Sequence, residues 1–133
     1  MEDDAELRAG YRRLLADRHE VWLWSSREVG RLWQLLAQGY EVRELSGFGL
    51  IISSPWLELG PDEPCSERLI RTLRREFPGV PVILAGRSRT LPTWVRLLSE
   101  ADPGVRGLFP VDPEGLAALV EELLETKIHR GGV

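Results

Sequence analysis

Apolar positions along this chain switch between two periods, and the switches divide it into elements. Residues 2–17 place Leu7, Tyr11, Leu14 and Leu15 on one stripe with Arg8, Arg12 and Arg13 mostly off it, which predicts an amphipathic helix. Val21-Trp22-Leu23-Trp24 is a short continuous apolar run, as in a strand buried on both faces. Ser25-Ser26 ends it and starts a helix carrying Val29, Leu32, Trp33, Leu35 and Leu36, which Gly39 stops. Residues 40–45 alternate like a half-exposed edge strand, and Leu50 to Ser54 reads as a second buried strand. After a loop rich in proline, glycine and acids, a helix carries Leu69, Ile70, Leu73 and Phe77, and Pro78-Gly79 breaks it. Val80 to Ala85 predicts a third buried strand, 91–100 a helix, and Val105 to Phe109 a fourth buried strand. Asp112-Pro113-Glu114 is a helix start: Asp as cap, Pro in the first turn, then an acid.

Strand and helix alternate, so the expected class is α/β, a doubly wound and mostly parallel five-stranded sheet with helices on both faces. The expected divisions are an N-terminal helical extension over 1–18, a domain over 19–126, and a tail or linker start over 127–133. Only Ser46 to Gly49 separates the second and third predicted strands, barely enough chain to recross a parallel sheet. A missing helix at that connection is the favoured reading; a hairpin between the two strands is the other.

Composition narrows the chemistry. The 133 residues carry 21 acidic and 17 basic side chains, net −4, and of the basic ones only Lys127 is a lysine. No apolar run reaches the roughly 18–20 residues of a membrane span, and the acidic start is unlike a signal peptide. One cysteine, Cys65, excludes an internal disulfide and a multi-thiolate zinc site, and His19 and His129 stand at opposite ends of the sequence. A reduced, cytoplasmic setting follows, with no metal, no cofactor, no membrane and no direct nucleic-acid binding expected.

Several segments resemble the receiver domain of bacterial response regulators. Leu32 to Leu45 is similar to its first helix and second strand, Leu50 to Ser54 to its third strand, and Leu69 to Leu84 to its third helix and fourth strand. Leu108-Phe109-Pro110-Val111-Asp112-Pro113-Glu114-Gly115-Leu116 is similar to the family's Leu-Lys-Pro-Phe-x-Pro-x-x-Leu pattern. The resemblance implies a flavodoxin-like fold over about residues 20–125. It places the Mg²⁺-holding acidic pair at Ser25 and Ser26, the phosphoacceptor at Ser54, the switch hydroxyl at Gly86 and the lysine at Phe109. Serine oxygens lack the charge Mg²⁺ needs, and Ser54 cannot form an acyl phosphate. The resemblance therefore implies a pseudo-receiver: a two-component-type signalling module that works without phosphorylation, binding another signalling protein or a second copy of itself as a homodimer.

Two sets of residues carry the candidate functions. At the carboxyl ends of the strands, Ser53, Arg87, Ser88, Arg89 and Thr90 join the serines above in a hydroxyl- and arginine-rich edge suited to an anion. A flavodoxin-like small-molecule binding protein or enzyme using that edge is the alternative function, and ordinary loop and capping residues are the plainer account. A serine hydrolase lacks a nearby base. For an interface, Trp56 in the proline-rich loop and Trp94, Arg96, Arg106 and Glu121 are the candidates. The stripe Leu7, Tyr11, Leu14 is the rival surface.

Overall fold

In a computed structural model of the protein, the described residues are 1–21, 23–37, 47–57 and 65–131. Their elements are α1 (Ala5–Leu15), α2 (Ser26–Ala37), β1 (Ile51–Ser53), α3 (Ser66–Glu76), β2 (Val82–Ala85), α4 (Thr93–Ala101), β3 (Val105–Leu108) and α5 (Pro113–Gly131). The three strands form one parallel sheet in the order β1-β2-β3, with Ile51 opposite Val82 and Val82 opposite Val105. The class is α/β, as the alternating periods predict. Among the described residues the sheet has three strands rather than five.

The two differences have separate causes. The expected strand over 40–45 lies outside the described residues, and of the connection into β1 only residues 47–50 are described, in turn and irregular backbone with no helix. Trp22 also lies outside them, but Val21, Leu23 and Trp24 are described and belong to no strand. Beside the end of β1 lie the first two residues of the chain. The Met1 amine donates to the Ile52 carbonyl (2.6 Å), Ser54 N–H donates to the Met1 carbonyl (2.8 Å), and Glu2 N–H donates to the Trp24 carbonyl (2.9 Å). The first two bonds are those of a parallel bridge between Met1 and Ser53. A run of apolar residues marks burial, but it does not say which backbone lies alongside.

β2 shows why its sequence is apolar throughout. Successive side chains point to opposite faces, and all four are buried. Val82 and Leu84 join Val29 and Leu32 of α2, Leu69, Ile70 and Leu73 of α3, and Val95 and Leu98 of α4 in one core. Ile83 and Ala85 join Tyr11 and Leu15 of α1 and Leu116, Val120 and Leu123 of α5 in the other. The helix over 5–15 is thus one of the two that cover a face of the sheet.

Local signals place the helix starts. Asp4 caps α1 by accepting from Glu6 N–H (2.9 Å) and Leu7 N–H (3.1 Å). Asp112 accepts from Gly115 N–H (2.8 Å) at the start of α5. Tyr11 departs from this economy. Its ring is buried, its hydroxyl has no hydrogen-bond partner among the described residues, and burial pushes its pKa up to about 12. A buried unpaired hydroxyl costs about 1–3 kcal/mol. Tyr11→Phe is therefore expected to stabilise the fold by about 1 kcal/mol in urea denaturation, and a loss of stability would show that the hydroxyl is satisfied.

Candidate functional site

The carboxyl ends of the three parallel strands converge on the turns that follow them, the usual place for chemistry in such sheets. Ser53 ends β1 and Ser54 follows it, Gly86 and Arg87 follow β2, and Phe109 follows β3. Their surroundings differ from an open anion site. Ser54 is buried, and its hydroxyl accepts from Trp56 N–H (3.1 Å), while the Ser53 hydroxyl donates to the Ser54 carbonyl (3.0 Å). Both oxygens are used within their own turn.

An aromatic pair fills the space over Gly86. Trp56 and Phe109 meet edge to face with ring centroids 5.7 Å apart. A β-carbon built at Gly86 would stand 2.9 Å from Trp56 Cζ3 and 3.2 Å from Phe109 Cε1. Glycine is what lets the two rings close over this strand end. Gly86→Thr is expected to cost about 1–3 kcal/mol by overpacking. Thermal melts of that variant with and without Trp56→Ala would check it, since removing the indole should recover most of the loss.

The charged groups at this edge come from the start of the chain. Asp3 accepts from Ser26 N–H (2.7 Å) and from the Ser26 hydroxyl. Arg87 lies 3.5 Å from Asp4 and 3.2 Å from Glu6. Arg8 donates to the carbonyls of Glu2 (2.8 Å) and Asp3 (3.0 Å), fixing the turn that carries the acids. Glu2 is buried, and loss of solvation raises its pKa although Asp4 N–H donates to it (3.1 Å). Ser25 donates its N–H and hydroxyl to Glu28, which holds that carboxyl below its ordinary pKa.

Ser25, Ser26, Ser53, Ser54, Gly86, Arg87 and Phe109 thus stand where strands or the segments beside them end. The sequence reading missed Glu2, Asp3 and Asp4. The run of three acids was the signal, but it counted only as an acidic start unlike a signal peptide. Of the remaining anion candidates, the Ser88 hydroxyl accepts from Thr90 N–H (3.1 Å) in a local turn, and Arg89 is exposed. Among the described residues no group of three or more His, Cys, Asp or Glu side chains is placed to hold a metal ion.

The interface candidates fall into two groups. Trp56 is 49% exposed, Arg96 and Arg106 are exposed, and Trp94 is half-buried against the first core. Leu91 and Leu97 are also exposed, and a β-carbon built at Gly107 would stand 3.1 Å from Leu91 Cδ1 and 3.8 Å from Phe109 Cε2. Arg106 pairs with Glu122 (3.6 Å), and Glu121 meets His19 (3.1 Å) and Arg18 (3.9 Å). Leu7, Tyr11 and Leu14, by contrast, pack into the second core. Cys65 is exposed at the start of α3, and no described helix is long and apolar enough to cross a membrane. Compared with protein-family models, curated proteins and solved structures, the chain matches none of them.

Proposed function

We propose that this protein is a receiver-like recognition module of bacterial signalling that works without aspartyl phosphorylation, in the cytoplasm, by binding a partner protein. The observation that carries the reading is the aromatic pair over Gly86. Where the resemblance expects a phosphoacceptor and a switch hydroxyl, the chain has a serine tied into its own turn and two rings in contact. Trp56 adds a half-exposed indole at that edge, against Phe109, and Leu91 and Leu97 are exposed as well. Large aromatics beside aliphatic side chains are the usual anchors of protein interfaces.

Incubation with acetyl phosphate and Mg²⁺ is expected to leave the mass of the intact protein unchanged. A gain of one phosphoryl group on an aspartate would overturn the reading. The recognition half is tested by light scattering after size exclusion and by pulldown. Trp56→Ala should weaken self-association or partner capture at least tenfold, because hot-spot aromatics are worth about 2 kcal/mol or more. Unchanged association in that variant would remove Trp56 from the interface. The alternative of an anion-binding edge is less well supported, since Arg87 is paired with Asp4 and Glu6.

A further inference from the structure

Residues 86–92 join β2 to α4 without regular structure, and Arg87, Arg89, Thr90 and Leu91 are exposed along them. The segment is held mainly by itself, through Thr90 N–H donating to the Ser88 hydroxyl (3.1 Å). The Thr90 hydroxyl makes no hydrogen bond among the described residues. It is a free nucleophilic oxygen on an open stretch of backbone.

Kinases that phosphorylate serine and threonine choose their acceptors largely by surrounding charge. An acidic substrate groove takes arginine ahead of the acceptor, typically three positions before it, and takes the segment unfolded from helix or sheet. Arginine stands three positions ahead of three hydroxyls in this chain: Ser46, Thr90 and Ser99. Ser46 lies outside the described residues. Ser99 sits within α4, where its hydroxyl donates to the Arg96 carbonyl (2.9 Å). Thr90 is the described acceptor on irregular, exposed backbone, with a second arginine directly before it and exposed Leu91 directly after.

We propose that Thr90 is a phosphorylation site for an arginine-directed serine/threonine kinase, and that phosphothreonine here is the input this strand edge lacks on aspartate. The inference rests on the reading above that aspartyl chemistry is absent. The Thr90 oxygen bonds to the γ-phosphorus of ATP as the bond from that phosphorus to the β–γ bridging oxygen breaks. ADP leaves, and the hydroxyl proton passes to the base of the kinase. The product carries about −1.5 to −2 charges at pH 7, on the segment that holds Arg87 and Arg89. Arg87 otherwise lies 3.5 Å from Asp4 and 3.2 Å from Glu6, and exposed pairs of that kind are weak. The phosphate takes the guanidinium from them through charge-assisted hydrogen bonds. Phosphorylation thereby releases the charged tie between the start of α1 and the edge that carries Trp56 and Phe109.

The test incubates the folded protein with ATP, Mg²⁺ and the catalytic subunit of cyclic-AMP-dependent protein kinase as the probe. One acid-stable phosphoryl group is expected, mapped to Thr90 by fragmentation and absent from Thr90→Ala. Arg87→Gln should slow its incorporation about tenfold or more. A free peptide of residues 84–94 serves as the control. If the peptide is phosphorylated and the folded protein is not, the segment is not presented and the site is overturned. Failure of both, or incorporation at Ser46 or Ser99 instead, overturns it too. In phosphorus NMR the phosphothreonine is expected to titrate at lower pH in the protein than in fully phosphorylated Arg87→Gln, and equal midpoints would remove Arg87 as its partner. An acid-labile phosphoryl group on aspartate, formed from acetyl phosphate, would remove the earlier reading and leave the Thr90 site standing.

Discussion

Arg74→Ala is expected to lower stability by about 2–4 kcal/mol, a fall in Tm of roughly 10 °C. The guanidinium grips Asp102 with two bonds, Nε to Oδ2 at 2.8 Å and a terminal nitrogen to Oδ1 at 3.0 Å. It also donates to the carbonyls of Pro78 (3.0 Å) and Val80 (2.9 Å). One side chain therefore joins the end of α3, the turn into β2 and the turn between α4 and β3. Its side chain is only 12% exposed and that of Asp102 24%, so screening is weaker than at the surface. Truncation strips the carboxylate of its charged partner, leaving it the Gly104 N–H (3.0 Å), and removes a donor from two carbonyls. Gly104 is shaped by the same clip, because a β-carbon there would collide with the guanidinium. Gly104→Ala should thus be costly in the natural chain and nearly neutral beside Arg74→Ala, a coupling that a double-mutant cycle reads directly.

The clip also has an acid limb. Arg74 holds the Asp102 carboxyl below its ordinary pKa. A depressed carboxyl pKa contributes stability that is fully present above the unfolded value and lost as pH falls through the folded one. That loss, below about pH 4, should be smaller in Arg74→Ala. Urea midpoints measured from pH 5 down to pH 2 would check it. Parallel curves for the two proteins would show that the pair contributes nothing through ionisation.

The second large effect lies near neutral pH. Burial lowers the Met1 amine from 8.0 to about 6, outweighing the opposing pull of Glu2 and Asp3. The folded protein then binds fewer protons at this group than the unfolded chain between those values. Stability from the neutral amine is complete above pH 8 and lost as pH falls through 6, a change of about 2–3 kcal/mol. Urea denaturation at pH 5.5, 7 and 8.5 should give rising midpoints. Titration of the amine in the folded protein near 8 would contradict the burial of this nitrogen.

What the sequence made legible was local and periodic. The run Val82–Ala85, buried on both faces, appears where an unbroken apolar stretch demanded it. Asp112 and Pro113 begin α5 because a cap and a fixed φ act within one turn. The stripe of α1 was legible as apolar, but an apolar stripe does not say whether its cover comes from the same chain. Tyr11 and Leu15 are covered by α5, so the stripe is core. The seat of Glu2, Asp3 and Asp4 was not legible, because it depends on Met1 pairing through its backbone with residues 51 and more positions away. Backbone pairing leaves no side-chain signature. The arginine-rich edge was legible as charge, and its neutralisation by Asp4 and Glu6 was not.

The packing of α1 on α5 also sets an order of events during synthesis. His19 and Glu121, which meet across this contact, are 102 positions apart. At about 5–20 residues per second, α1 waits roughly 5–20 s on the ribosome before its cover is made. Throughout that interval Leu7, Tyr11 and Leu15 lie open to water or to whatever binds nascent chains. A ribosome-bound chain halted before α5 is complete should bind a hydrophobic dye, and one carried past it should not.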